Sequence, residues 1–318
     1  MSEPVKIGVV GVGYLGSIHA QIYTRLSEVT LVGVNDVNSD VGKRVAVDCG
    51  CDFYSNVDQL ADSVDAVSVV VPTSCHREVS LPFLHRGIPV LLEKPVAHTL
   101  DDARLIVNEA EQSGAILQIG HLERFNAGVV RLHKELDRPR FIEVHRLSEF
   151  VERATDVDVV TDLMIHDIDI VLSLVRSELK YVSAVGASIV TNHVDIANAR
   201  LEFEDGAIAN VTASRVSAKR FRRIRVFADA CYLALNFEDQ QIEISRPGKR
   251  PPDGRFAPII NSSIQVEPTP PLDSELAHFV DCVRKGKQPL VTGSDGLQAL
   301  KVAYDVREKI EKSLHSFV

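Results

Sequence analysis

No apolar run in this 318-residue chain approaches the roughly 18 residues of a membrane span. The opening stretch, MSEPVKIGVVGVG, passes from a short polar start straight into a glycine-rich turn and lacks the architecture of a secretory signal. Cysteine is scarce. The five residues at 49, 51, 75, 231 and 282 are odd in number and scattered, which argues against a disulfide framework and for a reducing, cytoplasmic setting. Cys49 and Cys51 form a C-x-C with no Cys/His pair at zinc spacing, so they read as incidental thiols and no metal is expected. Positive charge is also short. Lys plus Arg is 35 against 44 Asp plus Glu, a net −9, which speaks against a broad nucleic-acid-binding surface. The exception is local: SRVSAKRFRRIR (214–225) carries six basic residues. It reads either as a solvated strand face with its loop, or as a contact for a small anionic ligand such as a diphosphate, or for another subunit. There is no internal repeat and no low-complexity tract.

What remains is ordinary globular composition, 45% hydrophobic and 25% charged, in a length that suits two domains. The first third alternates strands and helices. VKIGVV (5–10), TLVGVN (30–35), VDAVSVVVP (64–72), IPVLLEKP (88–95) and AILQIG (115–120) are near-continuous apolar runs, the pattern of parallel strands buried on both faces. TLDDARLIVNEAEQSG (99–114) opens on a Thr99/Asp102 cap and closes at Gly114. The first 120 residues are therefore expected to form a doubly wound Rossmann domain. From residue 121 to 318 the strands lengthen and alternate, as in RFIEVHRLSEF (140–150), ANARLEFEDG (197–206) and RRIRVFAD (222–229). That pattern predicts an α/β domain with a large open, mixed, mainly antiparallel sheet, one face of which needs cover. A homodimer or homotetramer built on that face is expected, with a hairpin at Asp205-Gly206 and closing helices over 274–286 and 296–314.

GVGYLG (11–16) is G-x-G-x-x-G between a strand and a helix. Gly11, Gly13 and Gly16 permit a tight turn and close backbone approach to a pyrophosphate, with Tyr14 and Leu15 at the helix N-terminus. Asp36 lies 20 residues beyond Gly16, where a carboxylate binds a ribose 2′-hydroxyl and repels a 2′-phosphate. Val37 and Asn38 supply no arginine for that phosphate, so NAD is expected over NADP.

Residues 162–169 read DLMIHDID. At 100° per residue, Asp162, His166 and Asp169 share one narrow stripe of an otherwise apolar helix, with Asp167 turned elsewhere as a surface or capping group. The stripe is either a buried Asp–His pair pinning the helix or a catalytic edge. A metal held with His121 or His145 is not demanded by the spacing.

At LLEKP (91–95), with VVVPTSCH (69–76) before it and TDLMIHDID (161–169) after it, the chain resembles the Gfo/Idh/MocA family of NAD(P)-dependent oxidoreductases. The resemblance runs nearly the whole length, through ELAHFVDCVRKGKQPLVTGSDGLQALKV (275–302). It implies a hydride transfer between nicotinamide and a carbinol of a sugar or its derivative. Pro72, Thr73, His76, Glu93 and Lys94 then lie along the cofactor, and Lys94, Asp162 and His166 form the catalytic set. His166 has a suitable unperturbed pKa for a general base, and Asp162 orients it. Lys94 stabilises the developing alkoxide or is itself the base. In GHLERFNAG (120–128), His121, Arg124 and Asn126 are substrate candidates, as is Arg153 in FVERATDVD (150–158); each also reads as linker or local pairing. Within the family, GHLERFN with DLMIHDID is most similar to nucleotide-sugar dehydrogenases of the UDP-N-acetylglucosamine type, with Ala127 departing from the proline usual there. The alternatives are a non-catalytic NAD(P)-binding regulator, disfavoured by the intact Lys94, Asp162 and His166, and an enzyme that retains and recycles its NAD. The remaining histidines, His19 among them, read as structural or surface groups.

Overall fold

Short, mostly apolar runs become the strands of the first sheet. They are β1 (Val5–Val10), β2 (Val29–Asn35), β3 (Asp52–Phe53), β4 (Ala66–Val69), β5 (Val90–Glu93) and β6 (Leu117–Gly120). The computed structural model describes residues 3–151, 157–252, 254 and 256–315. Among these, no helix is long and apolar enough to cross a membrane. The chain divides into two compact units. One comprises the chain to Phe125 with Pro270–Gln298, and the other Asn126–Thr269 with the chain from Ala299 onward.

In the first unit the strand order is β3-β2-β1-β4-β5-β6, every pairing parallel. Helices α1 (Tyr14–Tyr23), α2 (Ser39–Cys49), α3 (Val57–Ala61), α4 (His76–Leu84) and α5 (Leu100–Ser113) connect the strands. Local chemistry sets their ends. Thr99 Oγ1 accepts the Asp102 amide proton at 3.1 Å and donates to its carboxylate at 2.8 Å, while Gly114 closes α5 in the left-handed region (φ 71°). The core joins Val5, Ile7 and Val9 to Ala20, Ile22 and Tyr23 of α1. Leu276, Phe279 and Val280 complete it from the far end of the sequence.

The second unit holds α6 (Ala127–Glu135), β7 (Pro139–Leu147), α7 (Ile165–Val175), β8 (Leu179–Ala187), β9 (Ile196–Phe203), β10 (Ile208–Ser214), β11 (Phe221–Ala228), β12 (Cys231–Asn236), β13 (Gln241–Pro247) and β14 (Ile259–Gln265). Two further helices, α8 (Pro271–Lys285) and α9 (Gly293–His315), close the chain. The sheet order is β14-β13-β12-β11-β7-β10-β9-β8. The β7–β10 pair is parallel and the other pairs antiparallel, which is the mixed, mainly antiparallel sheet the alternation predicts. β9 and β10 join through Gly206 (φ 86°) as expected. In this sheet two strands escape the sequence reading, the apolar β12 and the polar, exposed β14, as does the two-residue β3 in the first.

Residues two apart on a strand share a face. Ile142, Val144, Ile224 and Val226 are fully buried on one face of the sheet. The other face carries Phe141, Phe227 and Tyr232, with successive ring centroids 5.7 and 5.0 Å apart. Beside them run the ion pairs Arg225–Glu143 and Arg223–Glu243.

Candidate active site

In a doubly wound sheet ligands bind at the carboxyl ends of the strands. At that edge of the first unit stand Gly11 after β1, Asp36 after β2, Pro72 after β4, Lys94 after β5 and His121 after β6. Gly11 is left-handed (φ 83°), and a Cβ there would meet Val70 O at 2.6 Å. A Cβ on Gly16 would meet Gly11 O at 1.8 Å, whereas Gly13 faces open space and starts α1 without a side-chain cap. The turn is thus a close-packed backbone cradle at an uncapped helix N-terminus, which fits a dinucleotide pyrophosphate. The exposed Tyr14 and the half-buried Leu15 begin that helix.

Asp36 has a second task. Its carboxylate accepts the amide protons of Val12 and Asn38, each at 2.8 Å, so the residue proposed to meet the ribose also braces the glycine turn. His76, at the start of α4, is buried. Its Nδ1 lies 2.9 Å from Pro95 O and 3.2 Å from Val96 O, and its Nε2 lies 3.0 Å from Val71 O. The ring therefore bridges the loops after β4 and β5, and burial lowers its pKa. Thr73 opens the short turn that leads into it.

Glu93 ends β5 and Lys94 follows it. The Lys94 amide donates to Glu93 Oε2 at 3.2 Å, and Glu93 Oε1 lies 3.4 Å from Nε2 of His19. Gly120, opposite Glu93 in register, leaves the carboxylate room; a Cβ there would come within 3.0 Å of it. His121 is fully enclosed, and its pKa falls to about 3, first through burial and then through the nearby Lys94 and Arg124 cations. It is a neutral ring at physiological pH. Arg124 is buried and donates to Leu290 O at 3.2 Å. Asn126, the first residue of the second unit, caps α6 by accepting the Gly128 amide proton at 3.0 Å.

In the second unit DLMIHDID begins on a wide turn. Val160–Met164 is π-helical, with the Ile165 amide bonded to Val160 O, and the regular α7 follows. Asp158 starts the segment, accepting the amide protons of Val160 at 2.9 Å and Thr161 at 3.0 Å, and it pairs with Arg307 at 3.2 Å. Asp162 and His166 are half-buried and Asp169 is buried. Asp167 is neither surface nor cap. It is 1% exposed and takes a bidentate pair from the buried Arg146, at 2.8 and 2.7 Å. A helix apolar around most of its girth leaves no solvent for Asp167, so its charge is tolerable only against a guanidinium. A second buried pair, Arg215–Asp195 at 3.2 Å, was not anticipated either. Burial would raise the Asp195 carboxyl, but the amides of Thr191, Val190 and Ile189 and the Thr191 hydroxyl hold it well below the usual carboxylate range. The sequence did carry a sign of Arg146, which falls in step with Ile142 and Val144 on the buried face of β7. Arg153 lies outside the described residues.

Residues 5–121 match the oxidoreductase family with an NAD-binding Rossmann fold, Gfo/Idh/MocA, and residues 119–233 match the Gfo/Idh/MocA C-terminal domain. The chain belongs to this family and is an NAD-binding oxidoreductase. It is 33% identical to UDP-N-acetylglucosamine 3-dehydrogenase of Acidithiobacillus ferrooxidans, with 98% of each chain covered. It superimposes on a solved structure of that protein with a TM-score of 0.90, at 32% identity, over 98% of this chain and 99% of the other. It is also 28% identical to scyllo-inositol 2-dehydrogenase (NAD(+)) of Bacillus subtilis, over 95% of this chain and 93% of that one.

Proposed function

We propose that the protein is an NAD-dependent dehydrogenase of a nucleotide sugar, oxidising a ring carbinol of UDP-N-acetylglucosamine or a close analogue at carbon 3. The observation that carries this reading is the 33% likeness, over 98% of both chains, to an enzyme named for that reaction. On this reading residues 1–120 bind the cofactor and 121–318 bind substrate and the neighbouring subunit.

The backbone of Gly11–Gly16 holds the pyrophosphate and Asp36 the ribose, with Pro72, Thr73, His76 and Glu93 shaping the nicotinamide end. When bound, NAD supplies the hydride acceptor. The protein must then manage one proton, because the carbinol carbon gives up hydride only as its hydroxyl is deprotonated. Lys94 and His166 are the two groups assigned to that hydroxyl. One accepts the proton and the other hydrogen-bonds the oxygen as negative charge develops. Asp162 fixes the orientation of the His166 ring. His121, Arg124, Asn126 and Arg153 are assigned to the substrate side. For His121 that role is limited to a neutral hydrogen-bonding group, since its pKa is far below neutrality.

The uncovered face of the large sheet, with Phe141, Phe227 and Tyr232, is assigned to a homodimer or homotetramer contact. The enzymatic test is a screen of UDP-sugars, free hexoses and inositols with NAD, following reduced nicotinamide. Turnover of UDP-N-acetylglucosamine with kcat/KM above that of the free sugars supports the reading. Preference for inositols or free hexoses overturns it.

A further inference from the structure

Three neighbouring strands of the large sheet, β11, β7 and β10, bring arginines to one end. Arg146 lies near the end of β7, Arg215 immediately after β10, Arg220 immediately before β11 and Arg222 within it. Arg222 is the direct cross-strand partner of Arg146, and Ser214 that of Leu147. All four line one cleft of about 640 Å³, together with Ser148, Glu149 and Asp162. Like charges directly opposite one another on a sheet are destabilising, so such a grouping in a chain of net charge −9 calls for a counter-charge.

Two of the four meet it in buried pairs. Arg146 is locked by Asp167 and Arg215 by Asp195, both pairs buried, and Arg215 also donates to the carbonyls of Val157 and Val194. These two form a rigid floor. Arg220 and Arg222 are held differently. The Arg220 side chain is 65% exposed and meets Glu238 at 3.5 Å, a surface pair easily exchanged for a better acceptor. The Arg222 guanidinium lies 5.2 Å over the ring of Phe237, a stacking contact that leaves its N–H edge in the plane of the fork. A planar fork of N–H donors matches phosphate oxygens two at a time.

Resting on the nucleotide-sugar reading, we infer that this cleft is the diphosphate subsite, with Arg220 and Arg222 as the groups that take the two phosphoryl units. In a nucleotide sugar the diphosphate is attached at the anomeric carbon, so the ring hydroxyls lie within one sugar ring of it. A cleft that joins these arginines to Asp162, a member of the proposed catalytic set, meets that requirement. Glu149 and Asp162 are also in the lining, so the anion is assigned to the arginines and the sugar to the neighbourhood of Asp162.

The test uses the full chain saturated with NAD, so that added diphosphate cannot report on the cofactor's own pyrophosphate site. UDP, UMP, uridine and inorganic diphosphate are titrated calorimetrically into the unmodified protein, Arg220→Gln, Arg222→Gln and, as a control on the outer face of α6, Lys134→Gln. We expect UDP to bind, UMP to bind about tenfold more weakly, and each arginine variant to lose tenfold or more for UDP while Lys134→Gln loses none. The KM for UDP-N-acetylglucosamine should rise by a similar factor, with kcat carrying little of the change. Arg220 is mostly exposed, so its variant also serves as the folded test should Arg222→Gln unfold. UDP-sugar turnover with an unchanged KM in folded Arg220→Gln and Arg222→Gln would overturn the subsite and leave the nucleotide-sugar reading standing. Arginine-dependent binding of inorganic diphosphate without turnover of any UDP-sugar would support the subsite and overturn that reading. No binding of UDP or diphosphate by the unmodified protein would overturn both.

Discussion

Nε2 of the fully buried His19 lies 3.4 Å from Oε1 of Glu93, and through that contact the helix opening on the glycine turn touches the strand end that carries Lys94. The network continues inward. Ser68 Oγ lies 3.5 Å from His19 Nδ1 and 2.7 Å from the Tyr23 hydroxyl, whose pKa burial drives upward. His19→Ala would leave the Glu93 carboxylate without this partner in a largely enclosed site. We expect a loss of about 1–3 kcal/mol in urea unfolding, partly recovered in His19→Gln. An unchanged unfolding midpoint in His19→Ala would show that the contact contributes nothing.

On the proposed reading, cofactor preference turns on Asp36. NAD should bind more tightly than NADP, and Asp36→Ala should narrow the gap. Because the same carboxylate braces the Val12 and Asn38 amides, Asp36→Ala should also weaken NAD itself. Fluorescence titration of both dinucleotides checks this, and equal affinities in the unmodified protein would refute it.

For the proton-transfer set, His166→Ala and Lys94→Ala should each lower turnover about 10²-fold or more, with NAD affinity nearly unchanged. Asp162→Asn should cost less than His166→Ala if it only orients the ring. Melting temperature and turnover measured on the same three variants separate catalysis from packing. Near-normal turnover in folded His166→Ala would leave Lys94 as the base.

His121 provides a pH test. Its folded pKa of about 3 lies below the ordinary histidine value of 6.5, so the unfolded chain binds a proton that the folded one refuses. The stability tied to its neutral form is fully present above about pH 6.5 and is lost as pH falls toward 3. His121→Gln should show a shallower fall of melting temperature between pH 6.5 and 4 than the unmodified protein. Parallel curves would contradict this.

The uncovered sheet face predicts self-association. Light scattering at micromolar concentration should give a dimer or tetramer, and Phe227→Asp, placed in the aromatic row, should shift it toward monomer. A monomeric unmodified protein would rule the contact out.

The parts read well from sequence are those whose signal is local. Valine runs, a glycine turn and a Thr/Asp cap each dictate their own geometry, and five of the six parallel strands follow from them, the two-residue β3 being too short to carry a pattern. β14 was missed because IINSSIQ is polar and exposed, with no buried face to impose a period. Asp167 was misread because its partner is 21 residues away on a strand, and helical angle alone cannot reveal a guanidinium across the layer. The bracing role of Asp36 was equally hidden, since nothing in the spacing says that Val12 and Asn38 point their amides at it.

The wide turn at Val160–Met164 amounts to one residue more than a regular helix would use. Each residue of an α-helix advances the azimuth by about 100°, so that single extra residue sets the phase between the Asp158–Asp162 segment and everything from Ile165 onward. Removing one residue within 160–164 would let the helix close regularly, yet it would swing Asp162 and its Asp158 anchor by about a quarter turn relative to His166 and Asp167. The angular offset between those carboxylates and that imidazole is therefore stored in chain length rather than in any side chain.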